Sequence, residues 1–487
     1  MFLNQDNQKD AKEFFTDVID VGMLFKNDKK VHKKSLSIED GKKMIEVMPT
    51  EGKDIKMILA EFKETILPYC TNFWSAKFMG FPDAGNSIAG IWGALLSDFL
   101  QQNLINQSFC SPSATFTEIN VIRRLREIVG YENGELNDID DVWGVITWGG
   151  TTSNSIAILL WRENKYPWTI ENGVYDLPVS YVVVPKWIGH YSVKSAQMQI
   201  GLGHHLLEVE TEDFRYNLKE LEKTLNEYKW QISTLVAYVG DSRTMTVDNL
   251  EEIYDLCKRI DPSIRLHADS CHGFSLWCSQ SLKHKIKWIE KFDSITTDPH
   301  KVFNLPYVIS ALLIKDPKQI KKIISISDLI TQEAFSFGQI TPFIWSKSRL
   351  SLKLWFFIKN LWKKWLDQLI TRRHDIAVYL SETLKKNSNF VVLNDVEINS
   401  VIFMFTGGNI KEIERLNEIN KKIYEIVLQE WEYYIHKFSI PDRWVFKKGE
   451  TLYPLRFMSG NPNVQENDIH DLVSYIGTIG ERVIKSM

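Results

Sequence analysis

Cysteine is scarce and unpatterned. Cys70, Cys110, Cys257, Cys271 and Cys278 form neither an even disulfide framework nor a zinc-binding spacing, so no disulfide scaffold and no metal site is expected. Cys271 and Cys278 flank an apolar stretch and read as small core residues. Long hydrophobic runs are missing: none reaches membrane-spanning length, and Met1-Phe-Leu-Asn-Gln-Asp6 lacks a basic region followed by an apolar block. A reducing cytoplasm and no membrane partner are the expectation. An excess of one charge is absent too, with 58 Lys and Arg against 62 Asp and Glu, a net charge of -4. Together with 44% hydrophobic residues, this disfavours both a disordered chain and a nucleic-acid partner. Lysine runs such as Lys283-His-Lys-Ile-Lys287 and Lys315 to Lys322 mark solvated faces. There is no internal repeat and no low-complexity tract, and 487 residues suffice for two or three lobes around a substantial core.

Against these absences two short segments stand out. Ser294-Ile-Thr-Thr-Asp-Pro-His-Lys301 reads as a buried strand that delivers Asp298, His300 and Lys301 at its end. Upstream, Ile264-Arg-Leu-His-Ala268 reads as a strand delivering Asp269 in the same way. The C-terminal ends of strands are where open α/β sheets collect ligand-binding groups. A lysine able to form an imine and an acid able to hold a pyridinium nitrogen are the pair that pyridoxal phosphate chemistry requires.

A third segment supplies an anion site. Asp141-Val-Trp-Gly-Val-Ile-Thr-Trp148 is an apolar strand running into Gly149-Gly-Thr-Thr-Ser-Asn154 and then a helical stretch. A strand, a glycine turn and a helix N-terminus aim unpaired N–H groups and the positive end of a dipole at a phosphate, with Thr151, Thr152 and Ser153 as further donors. The turn is not a Walker loop, since no Gly-Lys-Ser/Thr follows, and it lacks the three-glycine dinucleotide spacing. The strand from Val182 leads to His190, whose imidazole at a helix start can lie on the open face of a planar ring.

On these stretches, with Ser351-Leu-Lys-Leu-Trp355, the chain resembles the group II pyridoxal-phosphate-dependent amino acid decarboxylases, the family of the aromatic amino acid, tyrosine, histidine and glutamate decarboxylases. The likeness runs from Phe78-Met-Gly-Phe-Pro82 to Leu455-Arg-Phe-Met458. It implies an α/β fold of type I, aspartate aminotransferase-like, with a mostly parallel seven-stranded sheet and a small C-terminal α+β domain. It implies pyridoxal 5'-phosphate as cofactor, an amino acid substrate, and a homodimer with shared active sites. By the same resemblance Lys301 is the cofactor-binding lysine, Asp269 the partner of the ring nitrogen and His190 the stacking residue. Thr151, Thr152 and His300 belong near the phosphate, Asp298 stands where relatives carry Asn or Asp, and Ser242 stands where many have a threonine run. Phe81 and Pro82 fall where the family builds its substrate pocket, and Arg456 where an arginine can face the substrate carboxylate.

Departures from the family pattern open alternatives. Ser270-Cys271-His272 replaces two small residues after the acid. Between Tyr307 and Tyr379 there is no tyrosine, whereas aromatic amino acid decarboxylases carry there a loop tyrosine that protonates the substrate carbon. His190 and His272 are the nearest replacement donors. The leading expectation is decarboxylation of an L-amino acid to its amine through a quinonoid. The alternatives are oxidative deamination to an aldehyde and a catalytically silent dimer of the same fold. Lys77 is the one basic residue near the Phe78–Asn86 and Gln101–Ser108 segments, which favours a neutral side chain, aliphatic or aromatic.

Three regions are expected. Residues 1–110 form a helical segment, with helices over Asp10 to Met23 and Ile55 to Leu67, that wraps the partner subunit in the family. Residues 111–345 form the large cofactor-binding domain, with further strands at Leu206 to Val209, Thr234 to Val239 and Val308 to Ile314. Residues 346–487 hold a connecting helix from Ser348 to Leu380 and a small sheet from Phe390 to Asn394, Ile398 to Phe405, Trp444 to Phe446 and Leu455 to Met458. Ser325 to Pro342, with Gly338 allowing a sharp turn, is a candidate lid.

Overall fold

The computed structural model describes all residues except 1–2, 83–84, 205, 325–333, 341–342, 344–345, 362 and 444. Short, β-branched apolar runs become the strands β1 (Gly144–Thr147), β2 (Tyr181–Pro185), β3 (Leu206–Val209), β4 (Ile232–Tyr238), β5 (Arg265–Asp269), β6 (Ser294–Thr297) and β7 (Ser310–Ile314). They form one seven-stranded sheet in the order β1-β7-β6-β5-β4-β2-β3. β7 is antiparallel to both β1 and β6, and the remaining pairs are parallel. β4 is buried at every position, as expected where helices cover both faces of a sheet and no alternation of polar residues is tolerated.

Helices α1 (Gln8–Lys26), α2 (Ile55–Thr65) and α3 (Ile88–Leu100) precede the sheet; the mixed apolar spacing predicts the first two. Ser87 caps α3 by accepting from the Gly90 N–H at 3.0 Å. α4 (Pro112–Ile128) starts with proline, whose fixed φ suits a first helical turn. α5 (Gly150–Lys165) follows β1 and is buried from Ser153 to Glu163, lying against the sheet. The main core includes Trp161, Phe274, Phe292 and Leu235, each worth about 1.5–3 kcal/mol of burial.

The run expected as one connecting helix is two, α7 (Ser351–Asn360) and α8 (Lys363–Lys385), where α6 is Tyr191–Gln199. Leu361 is extended between them, at φ -112° and ψ 129°. No glycine or proline marks the break. α7 packs on α3 and α4, whereas α8 starts in the same main core with Leu369 and Ile370 and passes into the core of the small sheet from Ile376 on.

That sheet is antiparallel, with β8 (Phe390–Val392), β9 (Ser400–Phe405), β11 (Leu455–Met458) and β10 (His436–Lys437) in this order. The strand expected from Trp444 to Phe446 does not form. Val445 and Phe446 instead donate backbone N–H groups to the Asp442 carboxylate at 2.8 and 2.7 Å, a side-chain-closed turn, and His436–Lys437 takes the sheet edge. Trp444 itself, and residues 325–333 and 341–342 of the expected lid, lie outside the described residues. Within that lid Gly338 is required by packing, since a Cβ there would meet Ile105 at 2.8 Å. Among the described residues no helix is long and apolar enough to cross a membrane.

Candidate active site

Four chain crossings meet at the C-terminal edge of the parallel strands. β5 ends in Asp269, β6 leads into Asp298, His300 and Lys301, β1 runs through Gly149 into the start of α5, and β2 leads to His190, which caps α6. Together they enclose a cavity of about 260 Å³. Thr151, His190, Ser242, Asp269, Asp298, His300 and Lys301 all line it, although they come from positions 150 residues apart in the chain. Cys271 and His272 line it as well, forming part of its floor.

The other expected residues lie outside this lining. Thr152 follows Thr151 but does not reach the cavity. Pro82 borders a smaller hollow shared with Lys301, His272 and Arg373. Phe81 stacks parallel to Tyr434, with ring centroids 5.9 Å apart. Arg456 is buried between Phe81 and Phe438, at 5.7 and 5.3 Å from the ring centroids, and donates to the Gly80 carbonyl at 3.1 Å and to the Ser242 carbonyl. Its guanidinium therefore ties the Phe81–Pro82 segment to the cavity wall.

Electrostatics differ from group to group. Lys301 Nζ lies 2.7 Å from Asp298 Oδ2, and Ser310 donates to the other oxygen of that carboxylate. Burial alone would raise the Asp298 pKa, but the Lys301 ammonium, His300 and these hydrogen bonds outweigh it and hold the carboxyl well below its ordinary range. His300 donates Nδ1–H to the Ile309 carbonyl at 2.7 Å, leaving Nε2 toward the cavity side. Burial, only partly opposed by Asp269, lowers the His190 pKa and keeps its ring neutral. Burial followed by the Lys301 charge pushes His272 well below the usual histidine range. Burial, reinforced by Asp269, pushes the Cys271 thiol well up, so it stays protonated and unreactive.

Two residues that the sequence reading passed over complete the lining and its support. Tyr238, the register partner of Asp269 on β4, lines the cavity and its phenol oxygen accepts the His190 N–H at 2.8 Å. Asn154, inside the second turn of α5, donates to Asp269 Oδ2 at 2.9 Å. A signal existed for each: a tyrosine ending an otherwise apolar strand, and an asparagine four residues after the glycine turn on the sheet-facing side of a helix. The turn after Tyr238 needs Gly240, whose φ is +88° and whose Cβ would lie 2.4 Å from Ile398 Cδ1.

The donor set fits pyridoxal phosphate. A primary amine faces the cavity from Lys301, and the Asp269 carboxylate is 5% exposed, with Oδ1 receiving a long 3.3 Å bond from the Cys271 N–H. A Cβ at Gly150 would lie 2.7 Å from Cys271 Sγ and 3.2 Å from both Asp298 oxygens, so only glycine lets the start of α5 approach the strand ends. Sheet order, helix N-terminus, lysine and acid thus define the class of α/β enzymes of fold type I that work with this cofactor.

Comparison with known proteins carries the class to a family. The pyridoxal-dependent decarboxylase conserved domain matches residues 40–406, and the chain belongs to that family. It is a pyridoxal-phosphate-dependent carboxy-lyase. The aromatic-L-amino-acid decarboxylase of Bacillus atrophaeus is 23% identical over 456 residues, covering 91% of this chain and 88% of the relative. The cysteine sulfinic acid decarboxylase of Homo sapiens is 26% identical over 405 residues, covering 80% and 79%. The crystal structure of Oryza sativa TDC with PLP and tryptamine shares the fold at a TM-score of 0.86, with 16% identity over 99% of both chains.

Proposed function

We propose that the protein decarboxylates a neutral L-amino acid, aliphatic or aromatic, to the corresponding amine and carbon dioxide, as a homodimer. The observation that carries this reading is a lining in which Lys301 and Asp269 face one cavity and, among the described residues, no arginine and no second lysine is present. An acidic side chain would find no cation there to offset its desolvation.

Each residue then has a task. Lys301 would hold the cofactor through its amine, and Asp298, kept ionised by Lys301, His300 and Ser310, would pair with the lysine ammonium whenever that amine is free. Asp269 would be the partner of the cofactor's ring nitrogen, and His190, a neutral imidazole, would lie against the ring. The N-terminus of α5, Thr151 and His300 bind the phosphate, with Thr152 supporting the turn and Ser242 closing the wall near the acid. The bound cofactor supplies an electron sink for the pair left when the carbon–carboxylate bond breaks. Pro82 borders the smaller hollow next to Lys301, and Arg456, outside the cavity lining and committed to the Gly80 and Ser242 carbonyls, braces the Phe81–Pro82 segment. His272 lines the floor as a neutral imidazole and so stores no imidazolium proton for the substrate carbon.

The homodimer, with residues 1–110 wrapping the partner, is supported by apolar side chains left exposed on the N-terminal helices. Met23 and Leu24 on α1 are 55% and 69% exposed, and Ile88 and Trp92, one turn apart on α3, are 71% and 59% exposed. Sedimentation of the purified protein should give twice the chain mass, and Trp92→Glu should shift it toward the monomer.

The activity test is a screen of the standard amino acids, with added cofactor, for carbon dioxide together with amine. Equal amounts of the two from a neutral amino acid are expected; release only from an acidic one would overturn the substrate assignment. The missing tyrosine between Tyr307 and Tyr379 favours one second reading, in which oxygen is consumed and aldehyde, ammonia and peroxide replace the amine. Measuring those products in the same assay decides between the two. A silent scaffold would release nothing.

A further inference from the structure

Behind the cavity, Asp269 is the end of a buried chain of hydrogen bonds. Its Oδ2 accepts from Asn154 Nδ2 at 2.9 Å, Asn154 Oδ1 accepts from His267 Nε2 at 3.0 Å, and His267 Nδ1 lies 2.7 Å from Ser294 Oγ. Ser294 Oγ in turn accepts from the indole Nε1 of Trp161 at 2.8 Å. Trp161 is 1% exposed, Ser294, His267 and Asn154 are wholly buried, and water has no access to the chain.

The chemistry of the two ends fixes its direction. An indole N–H can only donate, so Ser294 accepts there and gives its own hydrogen to His267 Nδ1. The neutral imidazole then carries its single proton on Nε2, which must go to Asn154 Oδ1; Thr296 Oγ1, 3.3 Å away, is a weaker second acceptor. Burial holds the His267 pKa down to about 4, which agrees with a neutral ring. With its oxygen engaged, the amide of Asn154 has two hydrogens and turns both toward the cavity. One goes to Asp269 Oδ2 and the other to Ser192 Oγ at 2.9 Å. Ser192 Oγ, having accepted, donates to His190 Nδ1 at 2.8 Å, and the Ser192 N–H donates to the same nitrogen at 3.2 Å. His190 is left with its proton on Nε2.

We propose that Asn154 is a positioning residue that sets two cofactor-facing groups at once: the orientation of the Asp269 carboxylate and the Nε2–H tautomer of His190. His267, Ser294 and Trp161 hold the amide in the orientation that allows this. The inference rests on the reading that Asp269 and His190 address the cofactor. An amide is suited to the post because one side chain offers two donors and one acceptor. Aspartate would set a second charge against Asp269, and alanine would leave a buried carboxylate without its strongest donor. Asp269 is otherwise faced by His190, His267, Tyr238 and Cys271, none of them a cation, and the Cys271 N–H, at 3.3 Å from Oδ1, is a long second donor.

The test uses the full chain and pyridoxal phosphate, reading the dissociation constant of the cofactor and the pH titration of its visible absorption. Without the Asn154 donor the carboxylate keeps more of the shared proton, the ring nitrogen is less positive, and the linkage to Lys301 holds its own proton more tightly. In Asn154→Ala the midpoint should therefore rise by about one pH unit and the dissociation constant by about tenfold. Asn154→Asp should do more, and Ser294→Ala should move the midpoint the same way by less. An unchanged midpoint in folded Asn154→Ala overturns the inference; if that variant does not fold, an unchanged midpoint in Ser294→Ala does so. A wild-type protein that takes up no cofactor overturns this inference and the functional reading together. A wild-type chromophore that disappears in Lys301→Ala but titrates alike in the Asn154 and Ser294 variants overturns this inference alone.

Discussion

Two buried lysines in this chain make the same kind of ion pair and have opposite fates. Lys301 pairs with Asp298 at 2.7 Å, and its side chain is 20% exposed to the cavity. Lys347 pairs with Glu118 under the ring of Phe337, with exposures of 2% and 0%. At the cavity, Ser310 and His300 hold the carboxylate ionised from behind, so the amine can leave without stranding a charge. In the sealed pair burial raises Glu118 and lowers Lys347; Lys347 has Glu118 alone to keep it charged, whereas Glu118 is eased first by Lys347 and then by Ser351 and the Ile146 backbone. A lysine becomes usable when one side of it opens on a cavity and its counter-ion stays ionised; sealed on every side against a carboxyl that burial pushes up, it is a structural clip.

Changing the lysines separates these roles most sharply. Lys301→Ala should abolish the visible absorption of the bound cofactor and lower turnover by at least about ten-thousandfold, measured as carbon dioxide release, while unfolding in urea changes little. Lys347→Met should do the reverse. Leaving Glu118 buried without its partner should cost about 3–5 kcal/mol in urea unfolding, with cofactor absorption per folded molecule intact. Replacing both, as Glu118→Leu with Lys347→Met, should recover most of that loss. If Lys347→Met also bleaches the chromophore, the contrast between the two pairs fails.

The acid-side behaviour sharpens the comparison further. His267 has a pKa of about 4 when folded against 6.5 in an exposed chain. Above pH 6.5 both states are neutral there; between 6.5 and 4 the unfolded chain takes up a proton that the folded one refuses, so stability falls with pH and the loss is complete below 4. It should amount to roughly 3 kcal/mol, and His267→Gln should flatten that part of the urea-stability profile. The smallest effect contrasts neighbours: Thr151→Val should weaken cofactor binding about tenfold, whereas Thr152→Val, outside the cavity lining, should leave it within about twofold.

How far the site was legible depends on how locally each part is written. The endings of β1, β5 and β6 and the helix start at Gly150 are short-range patterns, and Lys301, Asp269, Asp298, His300, His190, Ser242 and Thr151 all meet in one cavity. Thr152 shares the helix start, yet it lies outside the cavity lining, because one residue along a helix changes the face; Phe81 and Arg456, from the Phe78–Pro82 and Leu455–Met458 segments, pack on Tyr434 and on the Gly80 carbonyl instead. Asn154 and His267 went unremarked although His267 precedes Asp269 by two, the spacing of one strand face. What identifies them is a contact between β5 and α5, 113 residues apart. The break at Leu361 has no glycine or proline to announce it, and only the packed structure shows the extended residue between α7 and α8.

By itself the sequence determined the alternation of buried strands and helices, the glycine turn, and the lysine and acid at strand ends, because hydrophobic period and turn chemistry act within a few residues. Only the tertiary structure decided that Asp269 is held by an asparagine, that Lys347 is sealed while Lys301 is open, and that Arg456 braces a wall. These depend on which side chains share a desolvated space. Desolvation is a property of the packed whole, which no window of the chain contains.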